Sequence, residues 1–361
     1  MQFNQTNQIF LDIGSAGLCF TVVLIFSIFL VSTKKWHGTI TLDLNEGIQK
    51  FHTSPTPRIG GIPIVLGLIL ASRNSSPEIN ALLNQLLIAG IPAFTFGLAE
   101  DLTKRVGVDK RLLATFVSGF LACWISDYSL SRIDIWGLDN LLQITLISIL
   151  FTSFAISGIA NSINIIDGFN GLSSITCMIA FIGISLISYK VGDANLYNLS
   201  FILSASVFGF FLINWPLGKI FLGDGGAYFI GFSLAWVAVL LVERNKSVSA
   251  FSVVMICILP ITEVLFSIYR RIIRRSHPGQ PDRLHFHSLF HRRYISRWLK
   301  DWSYLVKNSV VGLIIGSMSL ISTIFAIIFF ESTLLCSLGS ALFTFCYILI
   351  YLRMINHKWQ Y

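Results

Sequence analysis

The chain has 361 residues, of which 54% are hydrophobic and only 12% are charged, and its mean hydropathy is +0.72. Soluble domains carry about 25% charged residues. A cytosolic globular enzyme, a disordered chain and a small secreted scaffold are therefore excluded, and a polytopic membrane protein remains. The net charge of +8 fits Lys and Arg collecting on the cytoplasmic side of a membrane better than it fits a polyanionic partner, so no nucleic acid is expected.

Taken in chain order, eleven apolar segments read as helices of an all-α membrane bundle: 13–33, 59–72, 81–99, 112–126, 141–163, 171–189, 195–214, 226–242, 247–269, 308–330 and 332–352. The second and fourth are short against the ~20 residues a span requires. No internal repeat or low-complexity tract is present, so 1–361 reads as one integral-membrane domain. The first twelve residues lack Lys and Arg, whereas Lys34 and Lys35 follow the first helix at once. No small-residue cleavage site follows that segment, so it reads as an anchor. The N-terminus is then outside. Alternating helices place 19 Lys and Arg in the cytoplasmic loops and 5 in the outer ones, as the positive-inside rule requires. The six cysteines all lie in apolar stretches without a CxxC, and read as small buried side chains rather than a disulfide or zinc framework.

The chemically suggestive residues fall in the cytoplasmic loops or at the helix ends beside them. Thr56 to Gly61, with Arg58, opens the second helix. Glu100 and Asp101, followed by Lys104 and Arg105, close the third. Two adjacent acids at a membrane surface repel each other unless a cation relieves them; a solvated helix end of mixed charge is the other reading. Asn161, Asn164 and Asp167 recur every third residue, which gathers them on one helix face, and Gly168 and Gly171 then break that helix. Asn214 and Pro216 precede Phe221-Leu222-Gly223-Asp224-Gly225-Gly226. Glycines there let a backbone approach a ligand closely, and the following helix N-terminus offers N–H groups to an anion; Asp224 would equally serve as that helix's cap. The long ninth loop carries Arg283, His285 and His287, whose histidines share a face if the chain is extended. A basic loop with histidines suits phosphate groups; contact with lipid headgroups is the alternative. Glu263 lies inside the ninth helix, where it must face protein or water, and an arginine of the ninth loop is its expected partner.

Acids, amides, bases and glycines on one face suit a divalent metal holding a diphosphate. Mg²⁺ takes oxygen ligands from one or two protein groups plus substrate phosphate, and basic side chains neutralise the remaining charge. With these blocks in order, Glu100-Asp101-x-x-Lys104, Asn161 to Leu172, Asn214 to Asp224 and His285-x-His287, the chain resembles the polyprenyl-phosphate N-acetylhexosamine-1-phosphate transferase family, from Thr56 to His287. The resemblance implies transfer of a sugar phosphate from UDP-N-acetylhexosamine to undecaprenyl phosphate, with release of UMP. It implies Mg²⁺, with Mn²⁺ as a substitute, held by Asn164 and Asp224. It makes Asp101, with Glu100 beside it, the group that deprotonates or orients the lipid phosphate. It places Lys104, His285 and His287 on phosphates, and Asp167, Gly168, Asn170 and Phe221 at the uridine, with Asn161, Asn214 and Arg283 also binding substrate. It further implies a bacterial inner-membrane enzyme among membrane lipids, a homodimer as an optional assembly, and a start to cell-wall or lipopolysaccharide synthesis.

Two departures stand out. Glu100 replaces the usual first Asp, and the HxHH run ends as His287-Ser288. Eleven helices and a His-Phe-His-Ser run favour the N-acetylglucosamine or surface-polysaccharide branch over a phospho-N-acetylmuramoyl-pentapeptide transferase. An ion-coupled transporter is the rival of a different class. It would place acids near the bilayer midplane, usually with repeats.

Overall fold

A computed structural model describes residues 2–43, 55–275 and 284–356. Arg283 lies outside the described residues. The described chain is helical apart from one antiparallel pair of two-residue strands, β1 (Leu42–Asp43) and β2 (Thr56–Pro57). The helices are α1 (Gln2–Ser32), α2 (Lys34–Thr41), α3 (Gly61–Asn74), α4 (Pro77–Ala89), α5 (Ile91–Thr103), α6 (Val108–Ser126), α7 (Leu138–Leu142), α8 (Thr145–Ile166), α9 (Leu172–Lys190), α10 (Ala194–Asn214), α11 (Gly223–Arg244), α12 (Ala250–Ile256), α13 (Ile258–Ile273), α14 (Phe286–Phe290), α15 (Ser296–Trp298), α16 (Tyr304–Phe329) and α17 (Thr333–Asn356). A π-helical turn, His291–Ile295, joins α14 to α15.

All eleven apolar segments are helical, but not all as unbroken spans. Seven described helices are long and apolar enough to cross a membrane, and nine spans result if each of two bent pairs is one span. The bent pairs are α4–α5, at 49°, and α12–α13, at 78°. Proline explains both breaks. Pro92 and Pro260 remove an amide donor and crowd the carbonyl four residues back, at Ile88 and Ile256, the ends of the preceding helices. α3, with 14 residues, reaches only about 21 Å at 1.5 Å per residue, short of a bilayer core of about 30 Å. α6 starts with Asp109, Lys110 and Arg111, which suit a membrane surface rather than its interior.

α11 is the centre of the bundle. Every residue from Gly223 to Val242 is buried, as expected of a helix apolar all round. α3, α5, α8 and α9 pack around it. Its first turn approaches α3 and α5 at backbone distance: a Cβ on Gly61 would lie 2.6 Å from Gly226 Cα, and one on Gly97 2.6 Å from Gly225 Cα. The glycines after Phe221 therefore serve packing of the chain on itself, in addition to any approach of a ligand.

Five cysteines are buried as expected, but Cys346 is exposed on α17. None of the six forms a disulfide.

Candidate active site

The segments before α3 and α11 meet the ends of α5, α6 and α8 at one end of the bundle. The segment before α3 is fastened to the segment before α11: Phe221 N donates to Pro57 O at 2.8 Å, Gly60 N to Phe221 O at 2.9 Å and Gly61 N to Leu222 O at 3.1 Å. Gly223 completes this joint with φ at +74°. A Cβ there would meet Arg58 O at 2.2 Å and the Asp101 carboxylate at 2.6 Å, so both the backbone conformation and the space require glycine.

The joint brings Arg58 to Asp224. Arg58 Nη2 donates to Asp224 Oδ1 at 3.4 Å, and Arg111, from the first turn of α6, pairs with Asp224 Oδ2. Asn164 Nδ2, near the end of α8, donates to the same Oδ1 at 3.0 Å. One carboxylate, 7% exposed, thus sits among two guanidinium groups and an amide. Arg111 also lies over the Tyr228 ring, 5.8 Å from its centroid. Tyr228 donates to Asn161 Oδ1 at 3.5 Å. The three-residue spacing does gather Asn161 and Asn164, both against α11.

Asp101 is 1% exposed. Its two oxygens accept from Asp224 N and Gly225 N, each at 2.9 Å. These are first-turn N–H groups of α11, which lack intrahelical partners. The expectation that this helix N-terminus is open to an anion is corrected at these two donors, which a carboxylate of the same protein already holds. Asp224 is not the cap of its own helix; Asp101 of α5 performs that role and fixes the position of Asp224. Arg58 Nε lies 3.6 Å from Asp101 Oδ1. Lys104, in left-handed conformation, turns its Nζ back onto Asp101 O at 2.8 Å. Glu100 Oε2 accepts from Val106 N at 2.7 Å, closing the α5–α6 turn.

The remaining predicted residues divide into two groups. Asp167, just beyond α8, accepts from Ser173. Burial pushes its carboxyl up to about 6, against the lowering influence of Ser173 and Arg58. Gly168 faces the histidine loop: a Cβ there would lie 3.1 Å from His287 Nε2. His285 and His287 do share a face, their rings stacked 5.3 Å apart at 10°. Burial takes His287 down to about 3, so this ring is neutral at pH 7 and offers a hydrogen bond without a charge. Asn170 and Asn214, by contrast, are joints within the protein. Asn170 N donates to Asn308 Oδ1 at 2.7 Å and its Nδ2 to Ser309 Oγ at 3.3 Å. Asn214 Oδ1 accepts from Gly171 N at 2.7 Å and its Nδ2 donates to Ile220 O at 2.8 Å. They hold the Asp167–Gly171 turn and the Phe221 segment in place. Glu263 pairs with His285, at 2.9 Å, a histidine of the ninth loop where an arginine was expected.

Arg111 and Tyr228 were not singled out from the sequence. An arginine in the first turn of a helix, ten residues after an acidic pair, gave only a positive-inside signal.

A divalent cation fits this donor set in one way. Among the described residues no three His, Cys, Asp or Glu side chains form a metal cluster. Asp224 would supply carboxylate oxygens and Asn164 its Oδ1 once the amide turns from its present Nδ2 contact, with the other positions left to substrate phosphate and water, which is the habit of Mg²⁺.

Fold and site together define a polytopic membrane protein with a buried cluster of one carboxylate, two guanidinium groups and an amide at one end of its bundle. Residues 83–242 match the model of glycosyl transferase family 4. Over 324 residues, 89% of this chain and 95% of the relative, it is 29% identical to the undecaprenyl-phosphate alpha-N-acetylglucosaminyl 1-phosphate transferase of Thermotoga maritima. It is 25% identical over 280 residues, 75% of each chain, to the protein of the same name from Escherichia coli K12. It is 27% identical over 242 residues, 66% of each chain, to a Bacillus subtilis protein named probable undecaprenyl-phosphate N-acetylglucosaminyl 1-phosphate transferase.

Proposed function

We propose that this protein transfers N-acetylhexosamine-1-phosphate from a UDP-sugar to undecaprenyl phosphate, and that N-acetylglucosamine is the sugar. The observation that carries this reading is the Asp224 centre, with Asn164, Arg58 and Arg111 on one carboxylate at one end of the helix bundle. The names of the relatives supply the acceptor lipid and the sugar.

In the reaction an oxygen of the lipid phosphate attacks the β-phosphorus of the donor. The bond from that phosphorus to the bridging oxygen breaks, and UMP leaves with the bonding electrons. The protein's task is positioning and charge stabilisation. Asp224 and Asn164 would hold Mg²⁺, or Mn²⁺ in its place. That ion supplies charge neutralisation on the diphosphate. Arg58 and Arg111 are the groups that exchange Asp224 for phosphate oxygens when substrate arrives; guanidinium suits that geometry. Asp101 holds Asp224 in register. The Asp167–Gly168 turn and the neutral His287 ring form the wall on which the nucleotide sugar rests, with Phe221 on the opposite loop. The Lys and Arg distribution supports reaction on the cytoplasmic side, the bacterial relatives support an inner-membrane location, and the lipid product would start a surface polysaccharide.

The test is UMP release by purified protein in detergent, with undecaprenyl phosphate, Mg²⁺ and a panel of UDP-N-acetylhexosamines, the lipid product being identified by mass. Lipid- and metal-dependent release with UDP-N-acetylglucosamine is expected. Release only with UDP-N-acetylmuramoyl-pentapeptide would reassign the donor, and uptake of an ion gradient without UMP release would reassign the class.

A further inference from the structure

Behind the histidine loop lies a buried polar array that the transfer reaction as described does not use. Glu263 of α13 is 3% exposed, and Tyr347 and Tyr351 of α17 are each 1% exposed. Glu263 Oε1 accepts from His285 Nδ1 at 2.9 Å, and its two oxygens share Phe286 N at 3.3 Å. Tyr347 donates its hydroxyl to Glu263 Oε2, and its ring stacks on Phe286 at 4.6 Å. One turn on, Arg270 Nη1 donates to Tyr351 Oη at 2.9 Å, and Tyr351 donates to Leu284 O at 3.0 Å. Every hydrogen bond in this array ends on the residues just before or within the His285-Phe286-His287 run, or on the groups that hold them.

Burying a carboxylate is costly unless it is fully partnered. A simple loop anchor could be made from apolar contacts alone, as Phe286 against Tyr347 already shows. An ionised carboxylate only accepts, so the His285 nitrogen facing it carries the proton, and the other nitrogen is the one left for substrate. The hydrogen bond made by one ring nitrogen thereby fixes both tautomer and ring direction. The same ring stacks on His287, whose Nε2 abuts Gly168.

We propose that Glu263 is a positioning residue for the phosphosugar transfer: with Tyr347 it holds the His285 ring so that Nε2 is presented to substrate, and it makes the C-terminal helix α17 part of the site's support. The proposal rests on the reading above that the histidine loop acts on substrate phosphates. Helix α17 lies outside the matched family segment at 83–242.

The test compares UMP release and thermal midpoint for the full-length protein and for Glu263→Gln, Glu263→Asp, Tyr347→Phe, His285→Ala and the double variant Glu263→Gln/His285→Ala. Losing a residue that orients a functional histidine typically costs about 10- to 100-fold. Glu263→Gln is expected to lose that much in kcat with the donor KM within about two-fold, and Glu263→Asp to recover part of it. The double variant is expected to be no slower than His285→Ala, because residues acting as one unit are not additive. Independent structural losses would instead multiply, and that result would overturn the proposal. So would Glu263→Gln and Tyr347→Phe that both turn over at the wild-type rate while His285→Ala is inactive; the histidine reading would then survive alone. Wild-type turnover by His285→Ala would remove the histidine reading and the proposal with it. Should Glu263→Gln fail to fold, Tyr347→Phe, which loses only a hydroxyl, decides the matter: a lower kcat at an unchanged midpoint supports the proposal, and an unchanged kcat contradicts it.

Discussion

Asp224 carries one negative charge between Arg58 and Arg111, with Asn164 on the same oxygen. One carboxylate against two guanidinium groups leaves an excess of positive charge before substrate arrives, so an incoming diphosphate finds cations that are only partly neutralised. Arg111 is held by its pairing with Asp224 and by the Tyr228 ring, and lysine reproduces neither the fork nor the stacking. Arg111→Lys is therefore expected to lower kcat/KM by at least about ten-fold, equivalent to ~1.4 kcal/mol, with little change in thermal midpoint. Unchanged kcat/KM in a steady-state UMP assay would show that Arg111 does not reach the phosphates. The sequence singled out Asp224 and Asn164 as an acid among glycines and an amide at three-residue spacing, and the structure brings the two side chains together. The use of Asp101 was not, since its role as the cap of α11 depends on a contact 123 residues away. Asn170 and Asn214 carried the same polar signal as Asn164, and only the packed structure shows that they bond the protein's own loops while Asn164 meets Asp224.

At the level of elements, the first turn of α11 is set by glycines that face glycines or bare backbone. A valine at position 97 would drive side-chain carbon into the Gly225 backbone, 2.6 Å from where its Cβ must sit. Overpacking of this kind costs about 1–3 kcal/mol. Gly97→Val is expected to lower the thermal midpoint and to remove turnover together, because α5 carries Asp101 and α11 carries Asp224. A variant that keeps both would show that the helices move apart freely. The histidine loop carries a pH signature of its own. His287 falls from an ordinary 6.5 to about 3 through burial. A group lowered in this way adds stability that is complete above its unfolded value and is lost as the pH falls toward its folded one. Acidification from about pH 6.5 to about pH 4.5 should thus lower the midpoint of the wild type more steeply than that of His287→Asn. Equal slopes would mean that His287 is not buried as described. Periodicity and composition revealed each apolar helix, but not the breaks at Cys257 and Gly90. The prolines that cause them sit inside otherwise continuous apolar runs, where hydropathy averages conceal a missing N–H.

Across the whole molecule, two clusters of charged and hydrogen-bonded side chains mark the opposite ends of α11. One end holds the Asp224 centre. The other is stitched by Arg244 on Asp193 at 2.7 Å, Ser131 on Glu243 at 2.8 Å and Ser249 on Asp134 at 2.8 Å. Lys and Arg counts predict that the first end faces the cytoplasm. Single cysteines at Arg105 and at Lys246, both exposed, in a background with the native thiols replaced by serine, should label from the cytoplasmic and the outer side respectively. Labelling of the Arg105 position from outside would invert the protein. The convergence at one end of segments from residue 58 to residue 287 could be anticipated only as a sidedness of loops. Which groups touch is decided by the close approach of α3, α5 and α8 to α11.

The most direct measurement is UMP release from UDP-N-acetylglucosamine and undecaprenyl phosphate, run side by side for the purified wild type and Asp224→Asn over a titration of Mg²⁺. The Asp224 centre predicts lipid- and metal-dependent turnover in the wild type. It predicts a loss of about 10²- to 10³-fold in the variant, the scale on which removing one charge-stabilising group acts, with its thermal midpoint retained. Equal turnover at limiting Mg²⁺ would contradict the assignment of Asp224 as the centre of the reaction.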